Sequence, residues 1–265
     1  MSLVVFLIFI FVWYFPIWRR QGQTGRLPRR TIAESIAAGL IPGFLAIIIL
    51  QILFGFLLRA LPLTGAAYSA VDAYISAALI EESVKFLAAY LIIRKVQPTR
   101  KVDYVLIFGA VGLGYEVTET LLLLDSVVSG FFRGVFAQHI IWQLWMGMFF
   151  WEYMQAKRDQ NPAGCRRNLF LSLAVPFFLH GTNDFLAFMV EKGLKNVEPG
   201  ALENFSAQQV VTPDLEAAGW WLLALLIFMI LQIIFQIVTF RMALKTAADS
   251  RRMDAAQEQD RKKTI

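Results

Sequence analysis

Cysteine, histidine and charged residues are all scarce in this chain of 265 residues. A single cysteine, Cys165, excludes a disulfide framework and any Cys-x-x-Cys metal site. Charged residues make up only 17% of the chain, whereas hydrophobic residues make up 57% and the mean hydropathy is +0.56. A soluble domain of this size has too little interior to hide so much apolar surface. The composition therefore excludes a soluble protein and predicts an integral membrane protein.

Regular alternation of polar and apolar residues, the mark of a transmembrane β-barrel, is weak throughout the chain. Continuous runs of Leu, Ile and Phe instead approach the roughly 20 residues that a bilayer-spanning helix requires. The sequence therefore predicts an all-α, polytopic transmembrane helical bundle of about seven spans. The predicted spans are 2–18, 35–58, 67–93, 103–124, 132–156, 168–190 and 218–240.

The basic residues are unevenly distributed between the connecting segments. Twenty of the 25 lysines and arginines lie in 19–34, in 94–103, in 157–167 and in the tail from Arg241. Basic segments that flank spans stay in the cytoplasm. We therefore expect a multi-pass protein of the inner (cytoplasmic) membrane, with its N-terminus outside and its C-terminus in the cytoplasm. Because this placement accounts for the net charge of +5, no nucleic-acid partner is implied, and the expected surroundings are the lipid bilayer.

Three regions follow from these patterns. Residues 1–34 would form an N-terminal anchor span and a basic cytoplasmic loop, because no basic residue precedes the first apolar run and Arg19 and Arg20 follow it. Residues 35–245 would form the membrane core. Residues 246–265 would form a charged cytoplasmic tail.

Ionisable residues within the predicted spans are the strongest functional signal, because each costs several kcal/mol in hydrocarbon unless it is paired or hydrated. Both histidines of the chain belong to this set, which comprises Glu81, Glu82, Lys85, Glu116, Glu119, His139, His180 and Asp184. Counting about 1.5 Å per helical residue from the basic flanks places those of four different spans about 20–27 Å from the cytoplasmic side. In a hydrocarbon core about 30 Å thick, they share a layer in the outer half.

The spacing of these residues predicts that they share helix faces. His180 and Asp184 are four residues apart, and Glu116 and Glu119 are three apart. Lys85 is one turn from both Glu81 and Glu82, so we expect it to neutralise one carboxylate and leave the other available. Such a carboxylate is suited to general acid–base chemistry.

Four motifs in order over residues 75–190 resemble the PrsW family of intramembrane proteases, which is related to the CAAX prenyl endopeptidases. The motifs are Glu81-Glu82-Ser83-Val84-Lys85; Phe108-Gly109-Ala110 with Gly112-Leu113-Gly114-Tyr115 and Glu119; His139 with Met146-Gly147; and Val175-Pro176 with Leu179-His180-Gly181 and Asp184-Phe185. The sequence departs from the family's second motif at two positions. Thr120 stands where the family commonly has Asn, and Glu116 stands where it has a small residue. The glycines Gly109, Gly112 and Gly114 indicate close helix contact, since no Lys-Ser/Thr follows them.

The resemblance implies hydrolysis of peptide bonds in membrane-anchored proteins such as anti-sigma factors, on the extracytoplasmic side. We expect Glu81 to be the base, with Glu82 and Lys85 in support, and His139 to share the attacking water. His180, oriented by Asp184, would donate to the oxyanion, and Glu119 would orient a histidine or contribute to the water site.

Zinc stays open as a cofactor, because His139 and His180 with Glu119 or Glu81 match a catalytic zinc donor set, although His-Glu-x-x-His is absent. Two other classes of protein also stay open. A proton-coupled transporter would place Glu, His and Asp within spans, but it would distribute them across the bilayer. A bis-His haem protein would use His139 and His180, but it would leave the buried carboxylates without a role.

Overall fold

The computed structural model describes residues 7–21, 26–122, 137–195 and 213–263, which are mostly helical and include no strand. This confirms the all-α prediction. The helices are α1 (Phe15–Arg20), α2 (Arg29–Leu40), α3 (Pro42–Arg59), α4 (Gly65–Val71), α5 (Ile80–Val96), α6 (Lys101–Leu122), α7 (Gln138–Arg158), α8 (Pro162–Lys195) and α9 (Pro213–Lys263). Two π-helical segments, Phe9–Tyr14 and Asp72–Leu79, lead directly into α1 and α5.

Several predicted spans differ from the helices in the position of a break or an end. The predicted span 35–58 is interrupted at Ile41, because Pro42, which begins α3, has no N–H to continue the hydrogen bonds of α2. The predicted span 218–240 lies within the much longer α9, because no Pro or Gly follows Gly219 to end that helix. The tail from residue 246 to Lys263 therefore continues the last helix.

In the described part of the chain, three helical stretches are long and apolar enough to cross a membrane. They are Arg29–Arg59, Pro162–Lys192 and Gly219–Gln257, with mean hydropathies of 2.5, 1.3 and 2.6. Large apolar side chains on them face outward; Phe56 and Ile230, for example, are 66% and 59% exposed. Apolar surface on this scale requires a lipid environment. The count of seven spans and the orientation of the termini remain predictions.

The chain divides into two compact units, and several helices continue from one to the other. The first unit comprises Met1–Ile49, Glu81–Pro176 and Phe235–Ile265. The second comprises Leu50–Ile80 and Phe177–Ile234. The predicted division at residues 34 and 245 remains a prediction.

The core of the first unit forms where α6 packs closely between α2 and α7. A Cβ atom on Gly114 would lie 2.1 Å from the carbonyl oxygen of Ile36, and one on Gly112 would lie 2.6 Å from that of His139. Both distances are too short for a real side chain, so only glycine permits these helix contacts. This confirms that the α6 glycines serve close helix packing.

One end of the first unit gathers residues of three of the four basic segments. Lys95 forms an ion pair with Glu34 at 2.8 Å, which joins the ends of α5 and α2. Three further contacts are Arg100–Asp254 at 3.3 Å, Lys101–Glu152 at 2.5 Å and Arg100 donating to the carbonyl of Gln21 at 3.4 Å. Three of the segments that the charge distribution assigns to one side of the membrane are therefore neighbours in the fold.

Candidate functional site

The first turns of α5 carry two adjacent carboxylates and a buried lysine. Glu81, Glu82 and Lys85 are 7%, 3% and 1% exposed, so all three lie in the protein interior. The Lys85 Nζ atom is 2.9 Å from a Glu82 oxygen and 3.3 Å from a Glu81 oxygen. One ammonium therefore bridges both carboxylates, where the sequence predicted that it would neutralise only one of them. The shorter distance shows that Glu82 is held the more closely.

His139, at the start of α7, links Lys85 to a second carboxylate. Its Nδ1 atom lies 2.8 Å from Lys85 Nζ, and its Nε2 atom lies 2.6 Å from a Glu119 oxygen. Because Lys85 is a donor, Nδ1 accepts from it and Nε2 carries the proton that is donated to Glu119. Glu119 thereby fixes both the tautomer of His139 and the plane of its ring.

Glu116, whose presence the family pattern does not explain, contacts the backbone of the same histidine. Its Oε2 atom accepts a hydrogen bond from the His139 backbone N–H at 2.9 Å. His139 is the second residue of α7, and the first four N–H groups of a helix lack partners within the helix. A carboxylate at this point satisfies one of them and also interacts favourably with the positive end of the helix.

Two neighbours complete the cluster within the first unit. Gln143, one turn after His139, donates its amide to the second Glu82 oxygen at 3.0 Å. Tyr115 places its ring 3.7 Å below the Lys85 ammonium and packs edge-on against the His139 ring at 4.6 Å. Sequence reasoning missed this role of Tyr115; the available signal was its spacing of four residues from Glu119, which puts both on one face of α6.

The second unit holds the remaining histidine and aspartate on α8. His180 Nε2 lies 3.2 Å from an Asp184 oxygen, and the His180 side chain is 5% exposed against 24% for Asp184. The next residue, Gly181, lies against the Tyr74 ring, where a Cβ atom would come within 2.3 Å of a ring carbon. The Tyr74 hydroxyl also hydrogen-bonds Thr182 at 2.7 Å. These contacts fix the α8 turn that carries His180.

The predicted site residues are thus distributed over both units. The first unit brings together Glu81, Glu82, Lys85, Glu119 and His139, and the second pairs His180 with Asp184. Glu116 and Tyr115 join the first group without having been assigned a role from the sequence.

The donor chemistry of these residues fits a divalent metal ion. Glu81, His139 and His180 supply one carboxylate and two imidazoles, and each is buried. Histidines that bind metals commonly donate their other ring N–H to a carboxylate, which is how Glu119 contacts His139 and how a carboxylate oxygen of Asp184 faces His180. In the first unit, His139 Nδ1 already faces a cation, the Lys85 ammonium.

Comparison with known proteins places these residues within a recognised family. Residues 27–212 match the family described as PrsW family intramembrane metalloprotease. Protease PrsW of Geobacillus kaustophilus (strain HTA426) is 29% identical over 131 residues, which cover 48% of this chain and 56% of that protein. Protease PrsW of Clostridioides difficile (strain 630) is 27% identical over 183 residues, which cover 66% of this chain and 74% of that protein.

No solved structure matches the chain. The family match covers well over half of the sequence and includes all four motifs, and the apolar helices agree with it. The chain is therefore a membrane protein that belongs to the PrsW family of intramembrane metalloproteases.

Proposed function

We propose that this protein is an endopeptidase that hydrolyses peptide bonds of membrane-anchored proteins within or beside the bilayer. The observation that carries this proposal is the buried cluster of Glu81, Glu82, Lys85, Glu119 and His139, in which every ionisable group has a charged or hydrogen-bonded partner. Keeping such groups in a membrane core is costly, so their retention indicates chemistry. Membership of a protease family favours hydrolysis over the transporter and haem alternatives.

Glu81 is the general base of this proposal, because its side chain is 10% exposed where that of Glu82 is 3% exposed. Glu81 is thus the carboxylate that water reaches more readily, whereas Glu82 is held by Lys85 and Gln143. Lys85 limits the repulsion between the two carboxylates. His139, aligned by Glu119, would share the attacking water with Glu81 through its Nδ1 atom, in place of its contact with Lys85.

The reaction is written as a general-base hydrolysis. The Glu81 carboxylate takes a proton from water as the water oxygen attacks the scissile carbonyl carbon, and His180, held by Asp184, donates to the oxyanion. Glu81 then returns the proton to the amide nitrogen as the C–N bond breaks. The products are a new carboxyl terminus and a new amino terminus.

A metal ion would be held by His139 and His180, with Glu81 as the third donor, and it would replace the Lys85 ammonium at the His139 Nδ1 atom. Zinc bound by such a set acts as a Lewis acid that polarises a carbonyl and lowers the pKa of water. Glu119 and Asp184 keep the two imidazoles in the required tautomer and orientation. Glu82 and Lys85 balance the charge around Glu81.

The proposed topology has seven spans, with the N-terminus outside and the C-terminus in the cytoplasm. The contacts among Glu34, Lys95, Arg100 and Asp254 support it, since they join segments that the charge rule assigns to the cytoplasm. The site then lies nearer the external face. Water at that interface satisfies the backbone groups of a substrate helix that unwinds for cleavage, so we propose that the cut falls on the extracytoplasmic side. Anti-sigma factors with a single span are a substrate class of this form.

The test is cleavage of a single-span substrate in proteoliposomes, followed by sequencing of the new N-terminus. We expect a cut in the outer part of the substrate span or just outside it, and no cut with Glu81→Gln. Glu152→Gln, which alters only the Lys101 ion pair at the opposite end, is the matched control. Cleavage by Glu81→Gln at the wild-type rate would contradict the proposed base.

Orientation has its own test in cysteine labelling. With Cys165 replaced by Ser, Arg30→Cys and Gln160→Cys are each expected to react with an impermeant maleimide only after the membrane is opened. Labelling of either position in intact cells would show that the proposed topology is inverted.

A further inference from the structure

A second charged feature lies away from the proposed catalytic cluster, at the basic end of the first unit. A cavity of about 470 Å³ opens where α5, α6 and α7 end or begin. It forms because α5 ends at Val96, Gln97 takes a left-handed conformation with φ 51°, and Pro98 prevents the helix from continuing. The chain then turns directly into α6, which leaves a recess beside the last turn of α7.

The charge of this cavity is entirely of one sign. Arg94, Lys157 and Arg158 line it, and among the described residues no acidic side chain does. None of the three forms an ion pair with a carboxylate in the described part of the chain. Aromatic rings position the guanidinium groups instead: Arg158 lies 5.0 Å from the centre of the Trp151 ring and Arg94 lies 5.9 Å from that of Tyr90.

A neighbouring cavity of about 690 Å³ differs from this one in the charge of its lining residues. Its basic lining residues are Arg100, Lys101 and Lys245, of which Arg100 pairs with Asp103 and Asp254, and Lys101 pairs with Glu152. An acidic residue, Asp249, also lines this cavity. Of these two cavities, only the smaller is lined by basic residues without an acidic one.

The floor of the smaller cavity is apolar and aromatic. Ile93, Tyr104 and Phe150 are 4%, 3% and 2% exposed and lie beneath the basic rim, and Tyr153 is a further lining residue. Tyrosines are typical of the level of the lipid headgroups, and Lys and Arg beside a span face the anionic cytoplasmic leaflet. The cavity thus combines a cationic rim with an amphipathic wall at the expected height of the bilayer surface.

We infer that this cavity binds the phosphate group of an anionic phospholipid of the cytoplasmic leaflet. Arg94, Lys157 and Arg158 contact the phosphate, and the aromatic floor contacts the glycerol and the first methylenes of the acyl chains. A free phosphate ion would share the first set of contacts but would gain nothing from the apolar floor. The site joins α5, which carries Glu81, to α7, which carries His139, so an occupied cavity holds together the two helices that position the cluster.

The test measures lipid retained by the full-length protein after delipidation in a neutral detergent, by native mass spectrometry. Phosphatidylglycerol is added to wild type, to Arg94→Gln/Lys157→Gln/Arg158→Gln, and to the matched control Lys95→Gln/Arg166→Gln/Arg167→Gln. The control removes the same charge from the same segments but alters no residue that lines the cavity. Phosphatidylcholine and inorganic phosphate are the comparison ligands, and thermal unfolding verifies that each variant is folded.

We expect one tightly bound phosphatidylglycerol on wild type and on the control, and an affinity at least tenfold lower for the cavity variant, with no displacement by millimolar phosphate. Equal losses in the cavity variant and the control would overturn the proposal, because they would indicate general charge attraction. Displacement of the lipid by inorganic phosphate would also overturn the proposal, because it would indicate that the cavity binds a free phosphate ion and not the phosphate group of a lipid. The single substitution Lys157→Gln, at an exposed position, is expected to weaken binding severalfold, and an unchanged affinity for it and for the triple variant would also overturn the proposal.

Discussion

The backbone N–H of His139 donates to the Glu116 carboxylate at 2.9 Å, so a buried acid on α6 holds the first turn of α7. On the same face of α6, Glu119 holds the His139 ring at 2.6 Å. Two carboxylates one turn apart thus fix both the backbone and the side chain of one histidine. The direction of the His139 ring therefore depends on α6 as much as on α7.

Removing the Glu116 carboxylate should therefore affect both stability and proteolysis. Glu116→Ala leaves a buried N–H without its acceptor, which costs about 1–3 kcal/mol. Glu116→Gln retains an acceptor oxygen and should keep most of the activity. The measurements are thermal unfolding in detergent and the rate of substrate cleavage. If Glu116→Ala unfolds and cleaves as wild type does, Glu116 does not position His139.

Glu81→Ala and His180→Ala should each abolish detectable proteolysis while leaving the amount of protein in the membrane unchanged. General acid–base groups contribute roughly 10²- to 10⁴-fold to rates. Lys85 retains Glu82 and His139 as partners when Glu81 is removed. Cleavage is followed by gel analysis of a tagged substrate, and membrane levels by immunoblotting. Wild-type rates for both variants would show that the catalytic assignment is wrong.

Gly112→Ala should disturb the site without changing any polar group. The added Cβ atom would lie 2.6 Å from the His139 carbonyl oxygen, so α6 and α7 must separate at the turn that carries the histidine. Overpacking of this kind costs about 1–3 kcal/mol, and we expect a large loss of activity. Gly55→Ala is the matched control, because a Cβ atom there meets no other atom within 4 Å. Equal activity in the two variants would contradict the importance of this contact.

Metal content distinguishes the metal-dependent from the metal-free form of the proposed mechanism. If a metal is required, purified wild-type protein should contain about one zinc or other divalent ion per chain, with much less in His139→Ala and His180→Ala. Exhaustive chelation should then remove both metal and activity, and readdition should restore them. Full activity after chelation, with little metal bound, would indicate that Glu81 and His139 activate the water without a metal ion.

The local pairs within the helices could be predicted from the sequence because helical geometry is fixed. The contacts of Lys85 with Glu82 and of His180 with Asp184 follow from spacings of three and four residues. The need for glycine on α6 was likewise visible, although its contact partners were not. The scarcity of charge and the long apolar runs were sufficient to predict an all-helical membrane protein.

The tertiary structure decided which helix faces meet. The contacts of His139 with Lys85, Glu119 and Glu116 join three helices, and they depend on the rotation and depth of each helix as it packs against the others. Helical periodicity within one segment contains no information about that rotation. The role of Glu116 and the unpaired basic cavity therefore emerged only from the fold. The identity of the buried ionisable residues was determined by the sequence, because an ionisable residue within an apolar span is costly and therefore rare.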